Sequence, residues 1–272
     1  MKSLFRQNKY QEAINACNEL LANDINSIEA MKLIAKSLLA TRRIEDSRLY
    51  LNKVLNIAPN DYESIKDLGN TYQAVGDIDN AKNYYQKAIS INDYYAPALT
   101  NLGIIELTKD NKDVGLSLLI KATESDPNLA PSWGNLAYGY FKLNKPAEAT
   151  EACRKSIELN PNLFTSHFLL GKILIEQKKF HEAEAPLVKT IELNPNFAEG
   201  HLKLAAVLQN LGQLKEATEV CRKSIELNPN LFNSHFLLGT ILIEQKKLHE
   251  AEVATRKSID LNPHLFNSHF LL

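Results

Sequence analysis

The chain has 272 residues, of which 44% are hydrophobic and 23% charged, and its 31 basic and 32 acidic side chains give a net charge of -1. This balance argues against binding to nucleic acid or a membrane surface, because both require a basic excess that neutralises phosphates. No apolar run approaches the ~20 residues of a membrane helix, and the first residues lack the apolar stretch of a secretory signal. Three cysteines are too few for a disulfide scaffold. We therefore expect a soluble, cytoplasmic protein.

Prolines recur along the chain in similar sequence contexts, at Pro59, Pro127, Pro161, Pro195, Pro229 and Pro263. Neighbouring prolines in this series are 34 residues apart, except for the first pair, which are 68 apart with Asp93 at the intermediate position. Residues 153–184 and 221–252 differ at only three positions. The chain is therefore predicted to be an array of repeats, in which each repeat contacts its neighbours along the chain.

Each repeat is predicted to be a pair of helices. With the proline at position 32, complete repeats begin at Ile28, Tyr62, Ala96, Ala130, Phe164, Ala198 and Phe232. Bulky residues at positions 4, 7 and 11 share one face of a first helix, here called helix A, near positions 1–14. Positions 20, 24 and 27 share one face of a second helix, helix B, near positions 18–31. Small residues at positions 8 and 20 indicate that the two helices cross there at close distance.

The connections between helices also have the expected residues. Gly76 and Gly212 occupy position 15, between helix A and helix B. Glycine suits this turn because it adopts left-handed backbone geometry at low cost. The proline at position 32 has no amide hydrogen, so it suits the junction between two helices and not a helix interior.

A 34-residue helical repeat with this pattern resembles the tetratricopeptide repeat (TPR) family, and the resemblance covers essentially the whole chain. It implies an all-α fold, a right-handed solenoid or superhelix of antiparallel helix pairs. We expect one array over 1–272, with a partial repeat at 1–27 that is mainly helix B, seven repeats at 28–265 and the start of a further helix A at 266–272. Because terminal repeats normally carry a polar cap and this chain ends on apolar residues, we expect a fragment of a longer array or self-association through the C-terminal end.

Cysteine and histidine, the two residue types here that could be reactive or bind metal, are interpreted as packing residues. The cysteines all occupy position 24, facing helix A, and are Cys17, Cys153 and Cys221. A histidine recurs at position 4, in His167, His201, His235 and His269. Equivalent residues in stacked repeats lie ~10 Å apart, too far to share one metal ion, so these rings are expected to be core residues with a satisfied imidazole.

Nothing in the sequence indicates catalysis. Glu106 occupies position 11, which is bulky and apolar or aromatic in neighbouring repeats. Because a buried carboxylate is costly, we expect a local adjustment that lets Glu106 reach solvent; the alternative is a polar contact on the groove side. No phosphate loop, dinucleotide fingerprint or nucleophile elbow occurs. We predict that the chain is not an enzyme and has no cofactor or metal.

The remaining candidate site is the surface of the A helices. In the TPR family this surface is concave and holds extended peptides or partner segments, and positions 2, 5, 6, 9, 12 and 13 face it. The candidate peptide-binding residues are polar in the first half and more apolar in the second. They are Lys32, Lys36, Lys66, Asn70, Asn101, Asn135, Phe168, Ile175, Lys203, Phe236 and Ile243.

Part of the polar half resembles the carboxylate clamp that TPR co-chaperones use on the acidic tails of heat-shock chaperones. Lys66, Asn70 and Asn101 match three positions of that clamp. Its two further cations are replaced by Pro131 and Asn135, which removes charge-assisted hydrogen bonds. Binding to a chaperone tail is therefore not expected. We still expect a weaker site for a carboxylate or for a polar peptide backbone.

Two further interpretations of this surface stay open. Asn101 and Asn135, with Asp67 as a third candidate, resemble the asparagine ladder of the TPR superhelix in O-linked N-acetylglucosamine transferase, whose amides hold a peptide backbone. Alternatively, asparagine is simply common at this position. Phe168 and Phe236 either anchor a partner or pack against a neighbouring helix A.

We expect a non-catalytic scaffold that binds a protein or peptide, with no nucleic acid and no membrane. Two alternatives remain. The array could recruit substrates for a larger enzyme of the glycosyltransferase or sulfotransferase type, or it could assemble with itself through its open ends.

Overall fold

A computed structural model describes residues 1–109 and 111–263. In these residues all regular secondary structure is α-helical, so the predicted all-α class is confirmed. The helices are α1 (Lys2–Arg6), α2 (Tyr10–Asn23), α3 (Ile28–Ala40), α4 (Ile44–Ile57), α5 (Tyr62–Ala74), α6 (Ile78–Ile91), α7 (Ala96–Thr108), α8 (Lys112–Ser125), α9 (Ala130–Lys142), α10 (Pro146–Leu159), α11 (Phe164–Glu176), α12 (Phe180–Leu193), α13 (Ala198–Asn210), α14 (Leu214–Leu227), α15 (Phe232–Glu244) and α16 (Leu248–Leu261). The predicted start of a further helix A at 266–272 lies outside the described residues.

The helices follow the repeat register closely. Helix A occupies positions 1–13 and helix B positions 17–30, as α3 and α4 show, so helix B begins and ends one residue earlier than predicted. The turn between them has a left-handed residue at position 15, with φ of 81° at Gly76 and 76° at Gly212. The predicted role of these glycines is confirmed. The same position is left-handed in the other described turns, at Asn8, Arg42, Asn144, Lys178 and Lys246.

Helix A and helix B cross at close distance where the sequence has small residues. A Cβ atom on Gly69, at position 8 of α5, would lie 2.5 Å from Cε1 of Tyr85 on α6. A Cβ atom on Gly115 of α8 would lie 2.7 Å from the carbonyl oxygen of Gly103 on α7. These distances leave no space for a larger side chain, which confirms the physical reason given for the small residues.

The chain divides into two compact units, Met1–Asn135 and Leu136–Leu272, here called the N-terminal and C-terminal units. In the N-terminal unit, α3 packs against α4, α5 against α6 and α7 against α8. In the C-terminal unit, α11 packs against α12, α13 against α14 and α15 against α16. Successive A helices also contact each other, α3 with α5 in the first unit and α13 with both α11 and α15 in the second. Each unit therefore presents a row of A helices, which we call its helix-A face.

Within the described residues, no helix is both long and apolar enough to cross a membrane.

Candidate functional site

The helix-A face of the N-terminal unit begins with a lysine that joins α3 to the start of α5. Lys32 Nζ lies 3.2 Å from Oδ2 of Asp61 and 2.6 Å from Oε2 of Glu63. Asp61 also caps α5, because its side chain accepts the backbone N–H of Ser64 at 3.1 Å. Burial opposes the charge on Lys32, but its ion pairs with Glu63 and Asp61 outweigh burial and raise the pKa of Lys32 above its ordinary value.

Asp67, on the same face of α5, is a buried carboxylate with only 3% of its surface exposed. Its Oδ1 accepts hydrogen bonds from Nζ of Lys66 and, at 3.2 Å, from Nδ2 of Asn70. Lys36 Nζ on α3 lies 3.7 Å from Oδ2. In the described part of the chain, Oδ2 is buried and accepts no hydrogen bond. Two ammonium groups therefore surround one carboxylate, one of whose oxygens still lacks a donor.

Asn70 continues this arrangement to the next helix A. Its Oδ1 accepts Nδ2 of Asn101 on α7 at 2.8 Å and lies 2.9 Å from the hydroxyl of Tyr85. That hydroxyl is also 2.7 Å from Oε1 of Gln73, and its single hydrogen can be donated to one of the two oxygens at a time. Tyr85 belongs to helix B, is fully buried and reaches the opposite side of α5 past Gly69. Burial raises the pKa of Tyr85, so the hydroxyl stays a neutral donor.

These contacts form a continuous polar row over three successive A helices, consisting of Lys36, Lys66, Asp67, Asn70 and Asn101. A cavity of about 840 Å³ adjoins the row, and Asn70, Asn101 and Gln73 are among its lining residues. The row can present both donors and acceptors to an extended chain, because lysine, amide and carboxylate groups lie within reach of one another.

Asn135 lies half-buried on α9, at the position equivalent to Asp67 and Asn101.

The helix-A face of the C-terminal unit is built from aromatic and aliphatic side chains. Phe168 is half-buried, and its ring meets that of Phe197 edge to face with centroids 4.8 Å apart. Lys172 Nζ lies over the rings of Phe168 and Phe141, at 5.5 and 5.6 Å from their centroids, within the range of cation–π attraction. Phe168 therefore packs against neighbouring side chains and still exposes part of its ring.

Amide and carboxylate groups link α13 to α15 on this second face. Gln209 Nε2 lies 2.5 Å from Oε1 of Glu244 and 3.2 Å from Oγ1 of Thr240. The other candidate residues of this unit are half-buried on α11, α13 and α15; they are Ile175, Lys203, Phe236 and Ile243.

The structure thus divides the candidate residues into two sets, one in each unit. In the first unit, hydrogen bonds and ion pairs connect most of them.

Several contributors to these faces were missed by sequence reasoning. Of these, Tyr85 could have been predicted from the sequence. It is an aromatic residue at position 24, and the facing position 8 is Gly69, a combination that indicates a side chain passing beneath helix A. Phe197 and Lys172 carried no comparable signal, since their contacts come from the packing of successive repeats.

The described histidines at position 4 are core residues, as predicted, but the imidazole of His201 is not fully satisfied, because its Nδ1 is buried without a hydrogen-bond partner among the described residues. His167, His201 and His235 are buried, and each Nε2 lies 2.9 Å from the carbonyl oxygen of the proline six residues earlier. Because that oxygen can only accept, Nε2 must carry the hydrogen. Trp133, at the same position, donates Nε1–H to Pro127 in the same way at 2.9 Å. His269 lies outside the described residues.

The cysteines are also packing residues. Cys17, Cys153 and Cys221 are free thiols and fully buried. Burial raises the pKa of Cys153 and of Cys221 to about 12, which disfavours the reactive thiolate. In residues 1–109 and 111–263, no group of three or more histidine, cysteine, aspartate or glutamate side chains is arranged to hold a metal ion.

The expectation for Glu106 is wrong. Its side chain does not reach solvent but is buried, with 4% of the residue exposed. Glu106 Oε1 lies 2.5 Å from Nζ of Lys82 on α6, and Oε2 accepts Nδ2 of Asn111 at 2.7 Å. These two hydrogen bonds, the first from Lys82, hold the pKa of Glu106 below its ordinary value in spite of burial. The ion pair with Lys82 on helix B offsets the cost of burying the Glu106 carboxylate. The identity of the residue at position 11 alone does not predict this partner.

The helix pairs, the 34-residue register and the close crossings together define a TPR protein, a class whose fold serves protein–protein interaction. The chain belongs to the TPR family described as the C-terminal domain of cilia and flagella-associated protein 70, whose profile matches residues 12–264. A search of curated proteins gave no significant match.

Solved structures with similar folds are TPR proteins and assemblies. The structure of YrrB, described as a TPR protein with an unusual peptide-binding site, aligns with a TM-score of 0.60 and 22% identity over 68% of this chain and 96% of that one. The Cut9–Hcn1 hetero-tetramer of APC/C aligns with a TM-score of 0.79 and 16% identity over all of this chain and 54% of that one. Pseudomonas aeruginosa PilF aligns with a TM-score of 0.66 and 19% identity over 83% of this chain and 96% of that one. At these identities the likeness concerns the fold.

Proposed function

We propose that this protein is a non-catalytic scaffold that binds an extended peptide or protein segment along its helix-A faces. The observation that carries the proposal is the polar row of the N-terminal unit. A run of lysine, carboxylate and amide groups crosses α3, α5 and α7 beside a cavity of about 840 Å³. Side-chain amides suit this role because each offers a donor and an acceptor to a peptide backbone whatever its sequence.

The C-terminal unit supports the same proposal with different chemistry. The partly exposed ring of Phe168, held by Phe197 and Lys172, is an aromatic anchor of restricted mobility. Burying such a ring against a ligand contributes ~1.5–3 kcal/mol. The peptide-binding site of YrrB belongs to that protein, and it agrees with the use of this fold proposed here.

The test is a selection of binding peptides from a random library on the immobilised chain, followed by fluorescence anisotropy with the selected peptides. Asn101→Ala removes one neutral hydrogen-bonding group, so a peptide held by the polar row should bind about three- to tenfold more weakly. Asn128→Ala, at an exposed asparagine of the same unit outside the A helices, is the matched control and should leave binding unchanged.

A double variant, Phe168→Glu with Phe236→Glu, reports on the second face in the same assay. Loss of binding with unchanged far-UV circular dichroism would locate the ligand on the C-terminal unit. If no variant of either face weakens any selected peptide, the proposed function is wrong.

A further inference from the structure

An anion site in the N-terminal helix-A face is already filled by a side chain of the protein. Lys66 and Asn70 donate to Oδ1 of Asp67, and Lys36 Nζ lies 3.7 Å from Oδ2. Two ammonium groups and an amide that converge on one carboxylate are the surroundings that a bound acidic ligand would need. Here the carboxylate comes from α5 itself and is 3% exposed.

Among the described residues of α3, α5 and α7, the remaining lysine is also paired with carboxylates. Lys32 is paired with both Asp61 and Glu63. The three lysines of α3, α5 and α7, which are Lys32, Lys36 and Lys66, are therefore matched by the three carboxylates of Asp61, Glu63 and Asp67. An acidic ligand would have to displace an internal ion pair and would also meet the buried charge of Asp67, and both cost free energy.

We propose that Asp67 is the specificity-determining residue of this face: its carboxylate occupies the anion site, so that the face accepts an uncharged peptide backbone and rejects an acidic segment. This inference rests on the proposed peptide-binding function and names the class of ligand that the N-terminal unit selects.

The unpartnered oxygen of Asp67 favours the same class of ligand. Oδ2 is buried and accepts no hydrogen bond from the described residues, and a buried acceptor without a donor is destabilising. Lys36 approaches it without reaching hydrogen-bond distance, and the Lys36 side chain is 39% exposed. A ligand N–H that replaced Lys36 at Oδ2 would satisfy this acceptor, and a backbone amide supplies such a hydrogen without bringing negative charge to the site.

The decisive variant is Asp67→Asn. It keeps the size of the side chain and an Oδ1 acceptor for Lys66 and Asn70, but removes the negative charge that lies between Lys36 and Lys66. The variant should therefore convert the face into a cationic site. Asp79→Asn is the matched control, because it removes the same charge from an exposed aspartate at the start of α6, where Lys109 pairs with it.

The probes are two fluorescein-labelled peptides with blocked ends, one alternating Glu and Ala and the other alternating Gln and Ala. A length of about nine residues spans roughly 30 Å when extended, which matches three A helices spaced ~10 Å apart. Binding is measured by anisotropy at about 50 mM and about 500 mM NaCl, because a gain that arises from charge is screened at the higher salt concentration.

We expect Asp67→Asn to bind the Glu peptide at least ~10-fold more tightly than the wild type does at low salt, and to lose that gain at high salt. Its affinity for the Gln peptide should change by less than about threefold. Asp79→Asn should show no gain. Adding Lys36→Met to Asp67→Asn should remove the gain, since it removes one of the two cations.

Asp67→Ser, which also removes the charge, is measured in parallel, and circular dichroism establishes that each variant is folded. Unchanged affinity for the Glu peptide in whichever of the two variants folds would overturn the inference. So would an equal gain in Asp79→Asn, or a wild type that already prefers the Glu peptide. A loss of helical structure in both variants would also overturn it, since the carboxylate would then be a structural requirement.

The library selection described above reports separately on the proposed function. Selected peptides that bind the polar row, together with no gain in Asp67→Asn, would reject this inference alone. Conversely, Asp67→Asn could bind the Glu peptide more tightly while no library peptide depends on either helix-A face. That result would reject the scaffold function but support the assignment of Asp67 as the occupant of the anion site.

Discussion

The ion pair between Glu106 and Lys82 offers a direct test of how a polar pair is tolerated in the core of this array. Lys82→Met leaves the Glu106 carboxylate buried with Asn111 as its remaining partner. Removing one member of a buried pair costs ~3–5 kcal/mol. The Lys82 side chain is 29% exposed, so its loss should cost somewhat less. We expect a decrease of about 2–4 kcal/mol in the free energy of unfolding at pH 7.

Glu106→Leu should be much less harmful, although it removes the other half of the same pair. Position 11 holds leucine or tyrosine in neighbouring repeats, as at Leu174 and Tyr72, and Lys82 can extend into solvent when its partner is gone. We expect a change within about 1 kcal/mol, and a similar value for the double variant Glu106→Leu with Lys82→Met, because neither leaves a buried charge.

The contribution of Glu106 to the free energy of unfolding depends on pH with a definite sign. The pKa of Glu106 is lower in the folded state than in the unfolded state, so the unfolded state binds a proton more readily. The contribution of Glu106 to stability is therefore fully present above its unfolded pKa and is lost as the pH falls through its folded pKa. The loss should be absent from Glu106→Leu.

Urea unfolding followed by far-UV circular dichroism, at pH 7 and in the acidic range, measures all of these differences. Equal destabilisation by Lys82→Met and Glu106→Leu would refute this explanation, because a buried carboxylate without its lysine should cost more free energy than a lysine that reaches solvent without its carboxylate. An acid response that Glu106→Leu leaves unchanged would refute the assignment of that response to Glu106.

Two further predictions concern the repeat geometry. Gly69→Ala places a Cβ atom 2.5 Å from the ring of Tyr85, and Tyr85 is fully buried, so overpacking should lower the free energy of unfolding by about 1–3 kcal/mol. The double variant Gly69→Ala with Tyr85→Leu should recover much of this loss, and no recovery in urea unfolding would mean that the glycine is needed for another reason. Lys178→Gly and Lys246→Gly, at left-handed positions with φ of 57° and 61°, should each raise the thermal midpoint through a gain of about 0.5–1 kcal/mol, because glycine avoids the steric cost of a side chain there. A lower midpoint in both variants would contradict this explanation of the turn.

The repeat architecture could be read from sequence because each of its determinants is local and recurs. The prolines at 34-residue spacing give the helix junctions, and the small residues at positions 8 and 20 give the crossing of helix A with helix B. The left-handed turn could be inferred from Gly76 and Gly212, and it recurs at Lys178 and Lys246. A single repeat is one supersecondary unit, so its own residues specify most of its geometry.

The candidate surface was only partly predictable. Its residues occupy positions that face outward on helix A, and periodicity is enough to identify those positions. Whether Lys36 and Lys66 are available to a ligand is a different matter, because it depends on a carboxylate, Asp67, that lies between helices from two repeats. In the same way, Phe168 was identified from position 5, but its contact with Phe197 depends on the packing of the next repeat.

The sequence by itself thus determined the all-α class, the repeat register and the family, since these follow from periodic apolar, small and turn residues along one chain. Only the tertiary structure decided that Glu106 is buried with Lys82, that Tyr85 reaches Asn70 past Gly69, and that Asp67 fills the site between two lysines. The physical reason is that the charge state and accessibility of a side chain depend on partners within a few ångströms. Such partners can be distant in the chain, since Asn70 is 15 residues from Tyr85 and Lys36 is 31 residues from Asp67.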